Sequence, residues 1–170
     1  MEKTFREHGL PIELTRLPFV ESMFNLQALS KVGASGIWQF MPETARVYMT
    51  VNAHLDERSS PYKATIAAAK FMWANYRELG SWPLAITAYN HGASSMRKAT
   101  RTLQTKKLGE IIRRYNAPSF GFASRNFYAE FFAASQTYDE LLKQGKIIAR
   151  RRSNDAVELV HLPEGTSVAK

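Results

Sequence analysis

Leu10, Leu14, Leu17, Val20 and Phe24 recur at three- and four-residue steps, the spacing of one helical face. Glu21 falls on the same stripe, seven residues after Leu14 and four after Leu17, so a carboxyl stands where a leucine is expected. An acid held among apolar groups without a partner charge loses hydration; its pKa rises and it can keep its proton near neutral pH, as a general acid must. The structural alternative is that a guanidinium neutralises it, either Arg16 or an arginine more distant in sequence.

The remaining pattern predicts a nearly all-helical chain. Residues 2 to 8 read as a short polar helix ended by Gly9, and Pro11 suits the first turn of the helix that carries Glu21. Pro18 interrupts that pattern and predicts a bend or a tightened turn just before the acid. Ser30, Gly33, Ser35 and Gly36 mark a loop of tight turns, after which Pro42 opens a helix to about Met49 with Glu43 as a helix-start residue. Ser60-Pro61 opens a helix to about Leu79, with Tyr62, Ile66, Ala69, Trp73 and Tyr76 assigned to its core face and Gly80 ending it. Ser81-Trp82-Pro83 starts another, stopped by Gly92, with Tyr89 and Asn90 in a last turn from which side chains can face a cleft. Short helices fit Ser94 to Thr100 and Leu108 to Tyr115. A long one, Ser124 to about Gln144, carries Phe127, Phe131, Ala134, Tyr138 and Leu141 as its core stripe. Residues 147 to 162 hold two short alternating segments around Ser153-Asn154-Asp155, compatible with a small β-hairpin, and the tail from Pro163 reads as a linker. The expected organisation is an all-α domain over 1–145 and a short hairpin or linker segment over 146–170.

Bulk properties narrow the function classes. A chain of 170 residues, 45% hydrophobic and 22% charged, matches one ordinary soluble domain. No apolar stretch reaches membrane-spanning length and no charged head with an apolar run precedes the first helix, so neither a transmembrane helix nor a signal peptide is expected; an export address would lie upstream. Cysteine is absent, and His8, His54, His91 and His161 show no paired metal-ligand spacing, so no metal and no cofactor are expected. The formal net charge of +8 implies attraction to a polyanion: nucleic acid, anionic lipid or bacterial cell wall. Much of the excess sits at Lys106-Lys107, Arg113-Arg114 and Arg150-Arg151-Arg152, away from Glu21, where a solvated face is the simpler reading.

A set of ordered motifs from Gly9 to Tyr115 makes the chain recognisable. Glu21-Ser22 is followed by Ser30, by Gly33-Ala34-Ser35-Gly36-Ile37-Trp38-Gln39-Phe40-Met41-Pro42, and by Ala88-Tyr89-Asn90 with Gly92 after it; Ser30 lies nine and Gln39 eighteen residues past the acid. In this joint spacing the sequence resembles the family 1 lytic transglycosylases (SLT domain), especially the membrane-bound murein transglycosylase D type, whose catalytic domain is similar to goose-type lysozyme. Departures are modest. Ile37-Trp38 stands where many members have Leu-Met, and His91 replaces the common Ala before Gly92, which bears on subsite fit.

The resemblance implies a lysozyme-like helical fold and a peptidoglycan-cleaving enzyme of the bacterial periplasm or cell envelope. It implies Glu21 as the catalytic acid, with Ser30, Gln39, Tyr89 and Asn90 lining the sugar-binding cleft; Trp38 either packs under the loop or flanks a sugar. In the implied chemistry Glu21 serves as both acid and base, and the muramic acid's own C6 hydroxyl closes a 1,6-anhydro ring, an exception to the two-carboxylate rule. The expected partner is the peptidoglycan glycan strand, acted on by a monomer, with no nucleic acid. Three rivals stand beside this reading: a hydrolytic goose-type muramidase, a basic helical module that binds nucleic acid, and a wall-binding domain without catalysis. The second has the charge in its favour but no nucleic-acid motif.

Overall fold

Ser60 caps the central helix as its sequence predicts. Its hydroxyl accepts from the Lys63 amide, Pro61 occupies the first turn, and Gly80 closes the far end in the left-handed conformation. The computed structural model describes residues 1–147, and within them the chain is all-α. The elements are α1 (Glu2–Glu7), a 3-10 turn (Ile12–Arg16), α2 (Leu17–Glu21), α3 (Pro42–Ala45), a second 3-10 turn (Glu57–Ser59), α4 (Pro61–Leu79), α5 (Trp82–His91), α6 (Ala93–Leu103), α7 (Leu108–Arg114) and α8 (Phe122–Lys143). Among the described residues, strand pairing is limited to isolated bridges, Leu29 with Ser35, Ser35 with Phe40 and Val51 with Asp56. The expected hairpin past Ile147 and the Arg150-Arg151-Arg152 cluster lie outside the described residues.

Helix α4 packs against α5, α6 and α1, and α8 packs against α5 and α2. One apolar cluster joins Phe5, Leu14, Leu17, Trp38, Phe40 and Met72 with Phe127 and Phe131; a second joins Leu79, Leu84, Met96, Ile111, Tyr115 and Phe120. The first lies under the residues around Glu21. The second fixes α5 to α6 and α7.

Three expectations are corrected. The core face of α4 is not its aromatic stripe: Tyr62 and Trp73 are exposed, while Ala64, Thr65, Ala67, Ala68, Ala69, Met72 and Asn75 are buried. Small side chains let the neighbouring helices approach closely, and the two buried polar residues are satisfied, Thr65 by Pro61 O and Trp38 Nε1, Asn75 by Ala85 O. The aromatics form a stack from the exposed Trp73 through half-buried Tyr76 to Trp82, which packs against the apolar cluster. The helix expected from Pro42 to Met49 is also shorter, ending at Ala45 and continuing as turns. Near Glu21, the tightening precedes Pro18 rather than following it. Residues Ile12–Arg16 wind as a 3-10 turn, and Pro18 sits in the first turn of α2, where its missing amide leaves no bond unmade.

The long loop between α2 and α3 is held by Arg58, which is buried. Its guanidinium donates to the carbonyls of Gly33 at 2.7 Å and Phe40 at 2.9 Å and is paired through Nη2 with Asp56 at 2.6 Å. Gly36 lies directly beneath the Arg58 backbone with φ +74, where any Cβ would strike the Arg58 carbonyl oxygen. A Gly36→Ala variant should therefore lose about 2 kcal/mol or more of stability in chemical denaturation. A loss below about 0.5 kcal/mol would mean the loop is not locked at this point.

Candidate active site

Helix α2 ends at Glu21, and the chain then turns sharply. Met23 and Phe24 both take positive φ, 50° and 59°, a conformation that costs non-glycine residues about 1 kcal/mol or more each. The turn is secured by the amides of Ser22 and Phe24, both donating to Pro18 O. It is secured again by the Ser22 hydroxyl, which donates to Ile37 O at 2.9 Å. From the opposite side, at the end of α5, the Tyr89 hydroxyl donates to Trp38 O at 2.8 Å. Two successive loop carbonyls thus tie the end of α2 to the end of α5.

Glu21 and Tyr89 feel one another electrostatically. Burial pushes the Glu21 carboxyl up from 4.5 to about 8. Tyr89 is raised well above its ordinary range, first by burial and then by the Glu21 charge. Among the described residues no cation lies within ion-pair distance of Glu21, and its side chain accepts no hydrogen bond. Arg16, the candidate neutraliser, is committed elsewhere: to Ile12 O at 2.7 Å, to Glu2 and Asp139 at 3.8 and 3.6 Å, and over the Tyr138 ring at 4.7 Å. Half-buried and, among the described residues, without a partner charge, the carboxyl has its pKa raised by desolvation to about 8, which favours the protonated form at neutral pH.

The family model described as the transglycosylase SLT domain matches residues 2–112. The chain belongs to that family. It is 29% identical over 167 residues to the membrane-bound lytic murein transglycosylase D of Escherichia coli strain K12, an alignment covering 97% of this chain and 36% of that protein. The same protein of Escherichia coli O6:H1 matches equally. A putative tributyltin chloride resistance protein of an Alteromonas species is 35% identical over 102 residues, 59% of this chain and 49% of its own length. The chain therefore spans about a third of the length of the Escherichia coli relatives it matches.

The other candidate residues of this SLT domain are positioned as follows. Ser30 Oγ accepts from the Ala34 amide at 2.9 Å and so closes a turn of the loop. Gln39, half-buried at φ +46, donates its amide to Ala28 O and Gly36 O at 3.2 and 2.8 Å. With Phe40, Met41, Thr44, Phe71 and Tyr89 it lines a cavity of about 50 Å³. Asn90 is exposed; its Oδ1 accepts from the Ser124 hydroxyl of α8 at 2.9 Å. Trp38 is different. Its ring is wholly buried, stacked on Phe5 and bonded through Nε1 to Thr65 Oγ1, so it packs under the loop and its backbone carbonyl alone faces Tyr89.

A larger apolar groove, about 500 Å³, runs between Phe19, Met23, Ala134, Tyr138 and Leu141 and does not include Glu21. Sequence reasoning did not foresee Ser22, Arg58 or Ser124 as parts of this arrangement. Ser22 stands beside the acid in the motif, yet its bond reaches fifteen residues along the chain to Ile37; a lone Arg in a polar stretch and a Ser near a helix start carry no periodic signal.

The raised carboxyl has a consequence for stability. The unfolded chain releases the Glu21 proton near 4.5 and the folded chain near 8, so between those values the folded state binds more protons and stability falls as pH rises. A Glu21→Gln variant escapes this loss. It should match the parent in thermal unfolding at pH 4 and exceed it by up to a few kcal/mol at pH 8; a gap that shrinks with rising pH would refute the burial argument.

Proposed function

We propose that this chain, with residues 1–145 as the catalytic unit, is a peptidoglycan lytic transglycosylase of the bacterial envelope in which Glu21 is the one general acid and base. Protonated Glu21 gives its proton to the glycosidic oxygen between N-acetylmuramic acid and N-acetylglucosamine, and the carbon–oxygen bond breaks. The muramic acid's N-acetyl group stabilises the positive anomeric carbon. Glu21, now a carboxylate, takes the C6 hydroxyl proton of the same sugar as that oxygen closes the 1,6-anhydro ring. The acid ends protonated and water is not consumed. An attacking group already within the sugar has a large effective concentration.

The observation that carries this reading is the unpartnered Glu21, raised to about 8 by burial, which suits a group that must first give and then take a proton near neutrality. Family membership and the murein transglycosylase name of the Escherichia coli relative point to the same substrate. The next acids along the chain favour a single-carboxyl mechanism over a two-carboxylate muramidase. Asp56 is held by Arg58, and Glu57 accepts from the Thr50 amide at 2.7 Å and pairs with Lys63 at 3.4 Å; these contacts keep both below their ordinary pKa. Glu43 sits in the first turn of α3.

In this reading Tyr89 positions the loop beside Glu21, Asn90 contacts the N-acetyl group, and Ser30 and Gln39 shape the loop that holds the sugars. The basic excess would draw the enzyme to the lactyl and stem-peptide carboxylates of its substrate. Lys107 and Arg114 share the one carboxylate of Glu110, and Arg97 pairs with Glu78, pairs already counted in that net charge.

Mass spectrometry of muropeptide digests should find anhydro ends one water lighter than hydrolytic products; their complete absence would leave the muramidase as the better reading. Glu21→Gln should fold, bind glycan and lose at least about 100-fold in turnover, whereas Tyr89→Phe keeps partial activity. In the parent, kcat/KM should fall as pH passes about 8, where Glu21 loses its proton; a rate still climbing beyond pH 9 would contradict its service as the acid.

A further inference from the structure

His91 stands beside Asn90 at the end of α5. Its Nδ1 is 3.2 Å from the Ser124 hydroxyl oxygen, and that hydroxyl is 2.9 Å from Asn90 Oδ1. Ser124 is buried, and the His91 ring stands edge-on to Phe120 with centroids 4.9 Å apart, which fixes its plane. The other ring nitrogen, Nε2, is enclosed without any partner.

A serine hydroxyl has one proton, so the three groups can be arranged in two ways. If His91 carries its proton on Nδ1, that N–H donates to Ser124, Ser124 donates to Asn90 Oδ1, and the two N–H bonds of Asn90 remain for the cleft. If the proton sits on Nε2 instead, Ser124 donates to His91, and Asn90 must turn its amide over to meet the hydroxyl lone pair. Its carbonyl would then face outward. The enclosure of Nε2 decides between them, because the second arrangement buries an N–H with no acceptor, the rarer and costlier kind of orphan. Burial also lowers the pKa of His91, which keeps the ring neutral and leaves Nε2 bare.

We propose that His91 and Ser124 are positioning residues, a relay running from His91 Nδ1–H through the Ser124 hydroxyl to Asn90 Oδ1, that presents Asn90 to the glycan as a donor and so selects for a carbonyl oxygen of an N-acetyl group. This rests on the glycan-cleaving reading above and adds the polarity of one contact to it. An amino sugar without its acetyl group offers no carbonyl there. Discrimination between acetylated and deacetylated strands thus depends on α8 as well as on α5.

Two measurements on the full chain test this separately. Long-range proton–nitrogen NMR, with His91 assigned through a His91→Ala variant, should find its imidazole neutral and protonated on Nδ1; an Nε2-protonated ring overturns the relay without touching the glycan reading. Calorimetric binding in the Glu21→Gln background should show Ser124→Ala weakening an N-acetylglucosamine oligomer about tenfold. The same variant should leave a deacetylated oligomer unchanged, and Ser124→Thr should restore the affinity. Equal weakening of both oligomers, or of neither, overturns the relay. Failure of the Glu21→Gln protein to bind either oligomer overturns the glycan reading and, with it, the ligand named here.

Discussion

A largely desolvated carboxyl with no cation beside it among the described residues is the constraint on which this domain turns. Glu21 lies on the apolar stripe of α2 and, among the described residues, finds neither an ion partner nor a donor. Such a group is tolerable only if it holds its proton, and burial alone accounts for a pKa near 8. Arginines are plentiful in this chain, and the one nearest in sequence is buried itself. That Arg16 is turned toward Glu2, Asp139 and Tyr138 is therefore as much a part of the site as the acid.

The site is assembled on a loop with no regular hydrogen-bonding ladder of its own. Buried backbone groups must find partners somewhere, and here side chains add to a few backbone bonds such as Gly36 N–H to Ala28 O and Ser35 N–H to Phe40 O. Arg58 satisfies the carbonyls of Gly33 and Phe40, Gln39 those of Ala28 and Gly36, Ser22 that of Ile37 and Tyr89 that of Trp38. Gly36 permits the close crossing over Arg58, and Trp38 plugs the loop into the core against Phe5. The loop is thereby bonded both to the end of α2 and to the end of α5.

What could be read beforehand follows from this division. Helix positions were legible where proline, serine and glycine punctuate the chain, as at Ser60-Pro61 and Gly80, because capping is a local property. The displacement of Glu21 into an apolar stripe was legible for the same reason. The core face of α4 was not: aromatic residues dominate a hydrophobicity reading, whereas close helix packing selected the alanines and sent Tyr62 and Trp73 outward. Arg58 and Ser124 were invisible because their partners, Gly33 and Asn90, lie 25 and 34 residues away. Only tertiary structure brings such groups together.

The same bonds that fix the loop also keep the acid protonated. A hydroxyl or amide aimed at Glu21 would stabilise its charged form and lower its pKa. Ser22, next to it in sequence, and Tyr89, which feels its charge, are instead turned onto backbone carbonyls at 2.9 and 2.8 Å. The loop carbonyls thus act as sinks for donors, and the same bonds withhold from Glu21 the contacts that would favour its charged form. Under the proposed reading, irregular backbone beside Glu21 serves the chemistry, since a group proposed both to give and to take a proton is helped by neighbours whose polar groups are already engaged.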